Sequence, residues 1–254
     1  MGVLSEVRIP FGTRDLPAAL AVPTTDLSSI PARPLAAVIV VHELFGLTDD
    51  IRSIASRFAD AGYVALAPDF LSGLGPQPLC IARFARGLNR IGSGRPYRQL
   101  EAVRAWLASR PDVDASRIGV AGFCIGGGLA LLYAASADDV AVVAPFYAPV
   151  PDDAETTLAR ICPVVASYGG RDGFFGSMAG RLQTALTVAG IDHDVKTYPE
   201  AGHSFMNRHG GLTGWIGARI PMHAGYVPNA ADDAWRRVLA FFDRHLMAHE
   251  AEAG

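Results

Sequence analysis

The sequence predicts an α/β fold: a mostly parallel sheet of about eight strands with helices on both faces. Three observations carry that expectation. Short apolar runs recur along the chain, those from Leu35 onward show no in–out alternation, and segments of helical period separate them. Strands covered on both faces read as continuous apolar runs, and strands alternating with helices build parallel sheets between helical layers.

Strands are expected at residues 7–10, 18–22, 35–41, 63–67, 118–123, 140–146, 164–168 and 194–198. Leu100, Val103 and Leu107 line one face of a helix that starts near Pro96, where a first-turn proline loses no hydrogen bond. Met178, Leu182, Ala185, Leu186 and Ala189 repeat that spacing, and Gly190 ends the helix. Trp235, Val238, Leu239, Phe242 and Leu246 make an amphipathic C-terminal helix. The charge-free stretch 118–137 is long enough to span a bilayer, but its five glycines make it a strand, a sharp turn and a helix instead.

Two stretches break the alternation. A lid-like insertion is expected at 71–95 and a long loop at 204–231, both within one domain covering 1–254. The first carries Arg83, Arg86, Arg90 and Arg95, the second Arg208 and Arg219, and neither holds an acidic residue.

Composition narrows the function classes. The 254 residues include 22 Lys+Arg against 25 Asp+Glu, a net charge of −3, with half the residues hydrophobic. That excludes a disordered chain and argues against nucleic-acid binding. Cys80, Cys124 and Cys162 are too few for a disulfide framework, and no signal peptide is visible, so a cytoplasmic location is expected. No membrane partner, metal or cofactor is expected.

The sharpest local signal is Gly122-Phe123-Cys124-Ile125-Gly126 directly after an apolar run. It is a nucleophile elbow with Cys where a Ser usually stands. A strained strand-to-helix turn leaves no room for side chains two residues to either side. The following helix aims its N-terminus at the thiol, favouring thiolate and oxyanion. A nucleophile needs a base and a group to orient it. Asp172 and His203 each fall just past the carboxyl end of an expected strand, the edge where open α/β sheets bind ligands. The order Cys124, Asp172, His203 is also the order expected on such a fold. Backbone N–H groups of Leu44 and Ile125 are the expected oxyanion donors. His42-Glu43 opens no zinc motif, because Gly46 stands where His-Glu-x-x-His needs its second His. Glu43 is unusual beside an elbow, since a carboxylate raises a neighbouring thiol's pKa.

At these residues the chain resembles the dienelactone hydrolase family of α/β-hydrolases. The segment 42–46 with its Glu43, the Gly-x-Cys-x-Gly-Gly elbow at 122–127, the Gly-x-Asp turn at Asp172 and Ala-Gly-His-Ser-Phe at 201–205 carry the resemblance. It implies the α/β-hydrolase fold, a Cys–His–Asp triad, and a Glu43 that engages Cys124 in the resting enzyme until substrate frees the thiolate. Members that cleave dienelactone place an Arg four residues after the catalytic His. Here that position is Asn207, with Arg208 next; both are expected to bind substrate, and Arg83 is the candidate for the family's second carboxylate-binding Arg.

Other residues carry milder expectations. Cys80 and Cys162 read as structural, Asp69 as a loop acceptor, and His209, Trp215 and His223 as pocket-lining candidates. The expected function is hydrolysis of a small ester or lactone, possibly bearing a carboxylate, by a monomer or homodimer through a thioester acyl-enzyme. A non-catalytic ligand-binding protein on the same scaffold is the alternative.

Overall fold

A computed structural model describes residues 2–24, 34–72, 92–208 and 221–247. Its frame is one eight-stranded sheet made of β1 (Val3–Phe11), β2 (Arg14–Val22), β3 (Leu35–Val41), β4 (Val64–Pro68), β5 (Val113–Phe123), β6 (Val142–Phe146), β7 (Val164–Gly169) and β8 (His193–Tyr198). The spatial order is β1-β2-β4-β3-β5-β6-β7-β8. β1 and β2 form an antiparallel hairpin and β2 runs antiparallel to β4, while β4 through β8 pair in parallel. Each of the eight expected strands has its counterpart. β1 starts at Val3 rather than residue 7, and β5 at Val113 rather than 118. Val3 to Glu6, Ala115 and Ser116 are exposed, so a search for buried apolar runs passes over them although their backbones continue the strands.

The helices are α1 (Asp49–Asp60), α2 (Arg95–Ala108), α3 (Ile125–Ser136), α4 (Ala154–Thr157), α5 (Met178–Ala189) and α6 (Pro228–Phe242), the last running into a π-helical turn at Asp243–Met247. The sequence reading missed α1 despite good signals. Thr48 caps it by accepting from the Ile51 N–H at 3.4 Å, Asp49 and Asp50 occupy its positive first turn, and Ile51, Ile54, Ala55 and Phe58 share its buried face. The expected loop 204–231 gives its last four residues to α6, which Pro228 opens. Arg95 belongs to the first turn of α2 rather than to the lid-like insertion. Residues 73–91 of that insertion and 209–220 of the long loop lie outside the described residues.

The inner strands β3, β4, β6 and β7 are buried on both faces. Ala37, Ile39 and Val41 of β3 join one core layer with Leu100 and Leu107 of α2, Leu129 of α3 and Leu182 of α5. Their neighbours Val38 and Val40 join the opposite layer with Ile54 and Phe58 of α1 and Val238 and Phe242 of α6. This two-sided burial is why β3 reads as an unbroken apolar run, each buried Val or Ile contributing about 1.5–3 kcal/mol. No helix among the described residues is long and apolar enough to cross a membrane. The parallel strands all end at one edge, and the turns after β3, β5, β6, β7 and β8 carry the polar groups described next.

Candidate active site

Cys124 stands between β5 and α3 with φ 55° and ψ −126°, a conformation rare for a side-chain-bearing residue. Its N–H donates to the Phe146 carbonyl at 3.0 Å, and its own carbonyl accepts from Gly127 and Gly128, so three elements hold the turn. The elbow glycines are required sterically. A Cβ on Gly122 would overlap the Gly126 carbonyl oxygen, and one on Gly126 would overlap that of His42. The thiol is buried, 8% exposed. Burial first, and then the Glu43 carboxylate, push its pKa far above the ordinary thiol range, against a smaller opposing pull from the Ile125 N–H.

Asp172 and His203 meet. Asp172, past the end of β7, accepts from His203 Nδ1–H at 2.6 Å through Oδ2, while Oδ1 accepts from the Phe174 and Phe175 N–H groups at 3.0 and 3.2 Å. These bonds fix the carboxylate, and the carboxylate fixes the imidazole. His203 follows β8 and is clamped by its backbone: its N–H donates to the Met222 carbonyl at 2.8 Å and its carbonyl accepts from Gly225 at 3.1 Å. Tyr147 and Phe175 pack their rings on it at 4.9 and 5.3 Å. Its Nε2 is buried and has no hydrogen-bond partner, the thiol of Cys124 included, among the described residues.

Glu43 is buried in the turn after β3, and its Oε1 accepts from the Ser204 hydroxyl at 2.6 Å. The adjacent His42 is structural. Its Nδ1–H donates to the Glu43 carbonyl at 2.6 Å, its Nε2 accepts from the Phe70 N–H at 3.0 Å, and burial lowers its pKa, so it is a neutral strut. Leu44 occupies the turn after β3, and Ile125 opens α3 directly after Cys124.

A family model described as the dienelactone hydrolase family matches residues 24–246. The chain belongs to the dienelactone hydrolase family. It is 30% identical over 252 residues to a Salmonella typhimurium protein named "Putative carboxymethylenebutenolidase", covering 93% of this chain and 86% of that one. A Yersinia pestis protein of the same name is 29% identical over 254 residues, covering 94% and 88%. Among solved structures, a Klebsiella pneumoniae protein titled a "Putative Dienelactone Hydrolase" superposes with a TM-score of 0.77 at 27% identity, over 96% of this chain and 99% of that chain. The dienelactone hydrolase of Anabaena variabilis shares the fold, with a TM-score of 0.69 at 21% identity over 96% and 99% of the two chains. As a family member the chain is an ester- and lactone-hydrolysing enzyme with the α/β-hydrolase fold.

Around the dienelactone hydrolase elements lies a polar chain that the sequence reading missed. Tyr147, directly after β6, adopts φ 38° and is fully buried. Its hydroxyl donates to Asn207 Oδ1, and Asn207 Nδ2 donates to Asp50 Oδ2 on α1 at 2.7 Å. Asn207 thus spans Tyr147 and Asp50 with the amide that was expected to face substrate. Burial, then Glu43, then Cys124, raise the Tyr147 pKa well above its usual value, so it stays a neutral donor. A position just past a strand's carboxyl end was the available signal for Tyr147, and adjacency to His203 was the signal for Ser204.

Arg208 is exposed, its guanidinium 3.9 Å over the Tyr226 ring and its N–H donating to Asp50 Oδ1 at 3.2 Å. His223 is exposed with φ 46°. Asp69 accepts from the Leu71 N–H at 3.1 Å, a loop acceptor. Burial pushes the Cys162 thiol up to about 12, which leaves it inert. Arg83, Cys80, His209 and Trp215 lie outside the described residues.

Proposed function

We propose that this family member cleaves a small carboxylic ester or lactone by covalent catalysis at Cys124, with His203 as base and Asp172 as its positioning partner. The observation that carries the reading is the Asp172–His203 bond at 2.6 Å, which commits Nδ1 and leaves the buried Nε2 to exchange a proton at the edge where the elbow presents its thiol.

The resting enzyme holds Cys124 as a thiol, because burial and the Glu43 carboxylate both disfavour the anion. On acylation the thiol proton passes to His203 Nε2 and the sulfur attacks the substrate carbonyl carbon. The negative charge moves to the carbonyl oxygen, received by the backbone N–H groups of Leu44 and Ile125. Collapse breaks the C–O bond, and the leaving alkoxide takes the proton from His203. Water then gives a proton to Nε2 as its oxygen attacks the thioester. The acid departs, and the sulfur recovers its proton from His203. With a lactone the alcohol stays tethered, so the product is a hydroxy acid. Arg208 and Arg83 are the groups proposed to receive a carboxylate on the substrate.

Turnover of p-nitrophenyl acetate tests the reading. Cys124→Ala abolishes it while the fold persists, and in His203→Ala it falls by orders of magnitude, since such residues act as a unit. Undiminished turnover in Cys124→Ala refutes the assignment.

A further inference from the structure

Away from the elbow, a cavity of about 310 Å³ lies between the β1–β2 hairpin and the first turns of α2. Small-molecule pockets start near that size, about 300 Å³. Arg8, Arg14 and Arg95 line it from β1, β2 and α2, with Asp15 the one carboxylate among the described residues of its lining. Three guanidiniums against one carboxylate leave a local excess of positive charge in a chain whose net charge is negative.

The guanidiniums of these three exposed arginines make no ion pair or hydrogen bond among the described residues. Elsewhere Arg52, Arg104, Arg110, Arg117, Arg181 and Arg237 each rest on an aspartate or glutamate. The cavity also receives the N-terminus of α2. There Gly94 supplies no side-chain cap and the first turn holds no acidic residue, so the helix's own first turn does not offset the positive end of its dipole.

A separate observation points to a ligand. Gln99, in the cavity lining, is only 1% exposed, and its Nε2 has no hydrogen-bond partner among the described residues. A buried amide donor without an acceptor costs free energy that an anionic oxygen would restore. One wall is apolar: the Phe11 ring lies 5.6 Å beneath the Arg95 guanidinium, beside Leu16.

We propose that this cavity binds a small organic dianion, with an apolar body against Phe11 and its charged oxygens shared among Arg8, Arg14, Arg95 and Gln99. The site is separate from the proposed catalytic one. It contains no residue of the turns bearing Cys124, Asp172 or His203, and its hairpin precedes the segment that matches the family model.

Calorimetric titration of the full-length protein tests the proposal, with phenyl phosphate and phthalate as dianions and benzoate as the singly charged control. At least one dianion binds saturably at one site, at least about tenfold more tightly than benzoate. Binding weakens about ten- to a hundredfold in Arg14→Ala or Arg95→Ala, the scale of one charge-assisted contact, and falls similarly in the near-isosteric Gln99→Glu. Cys124→Ala leaves it unchanged. Phenyl phosphate without phthalate assigns a phosphate monoester, and the reverse assigns a dicarboxylate. Absence of saturable binding by both dianions overturns the proposal. So does affinity that survives Arg14→Ala and Arg95→Ala together, or affinity that vanishes in Cys124→Ala.

Discussion

Replacing Glu43 by Gln removes a charge from beside Cys124 and keeps the shape and the acceptor oxygen that Ser204 uses at 2.6 Å. Glu43 is the largest Coulombic cause of the raised Cys124 pKa, second only to burial. A neighbouring like charge shifts a pKa by about 1–3 units. Because the thiol titrates far above neutrality, its thiolate fraction at pH 7.5 rises about tenfold for each unit recovered. A less basic thiolate is also a weaker nucleophile, with a Brønsted slope of about 0.5, so the net gain in alkylation rate is about 3- to 30-fold. The assay is the rate of iodoacetamide modification at Cys124, followed by peptide mapping so that Cys80 and Cys162 do not contribute. In wild type the rate is slow near neutrality and climbs with pH. In Glu43→Gln the same climb starts at lower pH. An unchanged or slower rate in the variant refutes the idea that the carboxylate restrains the thiol, and leaves Glu43 as an acceptor for Ser204.

Four further outcomes follow from the same geometry. Asp172→Asn places an amide against His203 Nδ1 and disturbs its tautomer, so kcat for an activated ester falls about a thousand- to ten-thousandfold with little change in melting temperature. Gly126→Ala drives a methyl group into the His42 carbonyl, and chemical denaturation registers a loss of about 2 kcal/mol or more, or no folded protein at all. If Arg208 or Arg83 receives a substrate carboxylate, a lactone bearing one exceeds its methyl ester about ten- to a hundredfold in kcat/KM at low salt, and equal values refute that role. Asp233, held at about 2 mainly by Lys196 and also by Tyr198 and Arg236, stabilises the fold above its unfolded pKa and loses that contribution as pH falls. The melting temperature of Asp233→Asn therefore lies below that of wild type at neutral pH, and the gap closes between about pH 4 and pH 2.

The sheet was legible because two-sided burial writes apolar runs into the sequence, and Val38 to Val41 divide between opposite layers as such a run requires. Strand ends were less legible: the exposed start of β1 is paired with β2 through its backbone, which is indifferent to side-chain polarity, and β5 begins with a single pairing of Val113 to Leu35 before an irregularity that resumes at Ile118. Cys124, Asp172 and His203 stood out because their chemistry restricts residue type and their turns demand glycine. The chain Tyr147–Asn207–Asp50 did not, since it joins residues 60 and 157 positions apart through ordinary polar side chains. Its existence depends on three turns converging at one sheet edge, which no local spacing encodes. Thr48 followed by Asp49 and Asp50 is a local helix-start signal, so α1 is legible in the sequence although its cap lies in a polar turn.

His42 has a consequence for how this scaffold diversifies. With one ring nitrogen on the Glu43 carbonyl and the other on the Phe70 N–H, it rivets the turn bearing Glu43 to the point where the chain leaves β4 for the stretch beyond Leu71. That stretch rejoins the frame where Pro96 and Leu100 of α2 are buried in the core. A family member that alters Phe70 or the end of β4 therefore moves the turn bearing Glu43 through one imidazole, and a scaffold that keeps this link keeps its reactive turn in place.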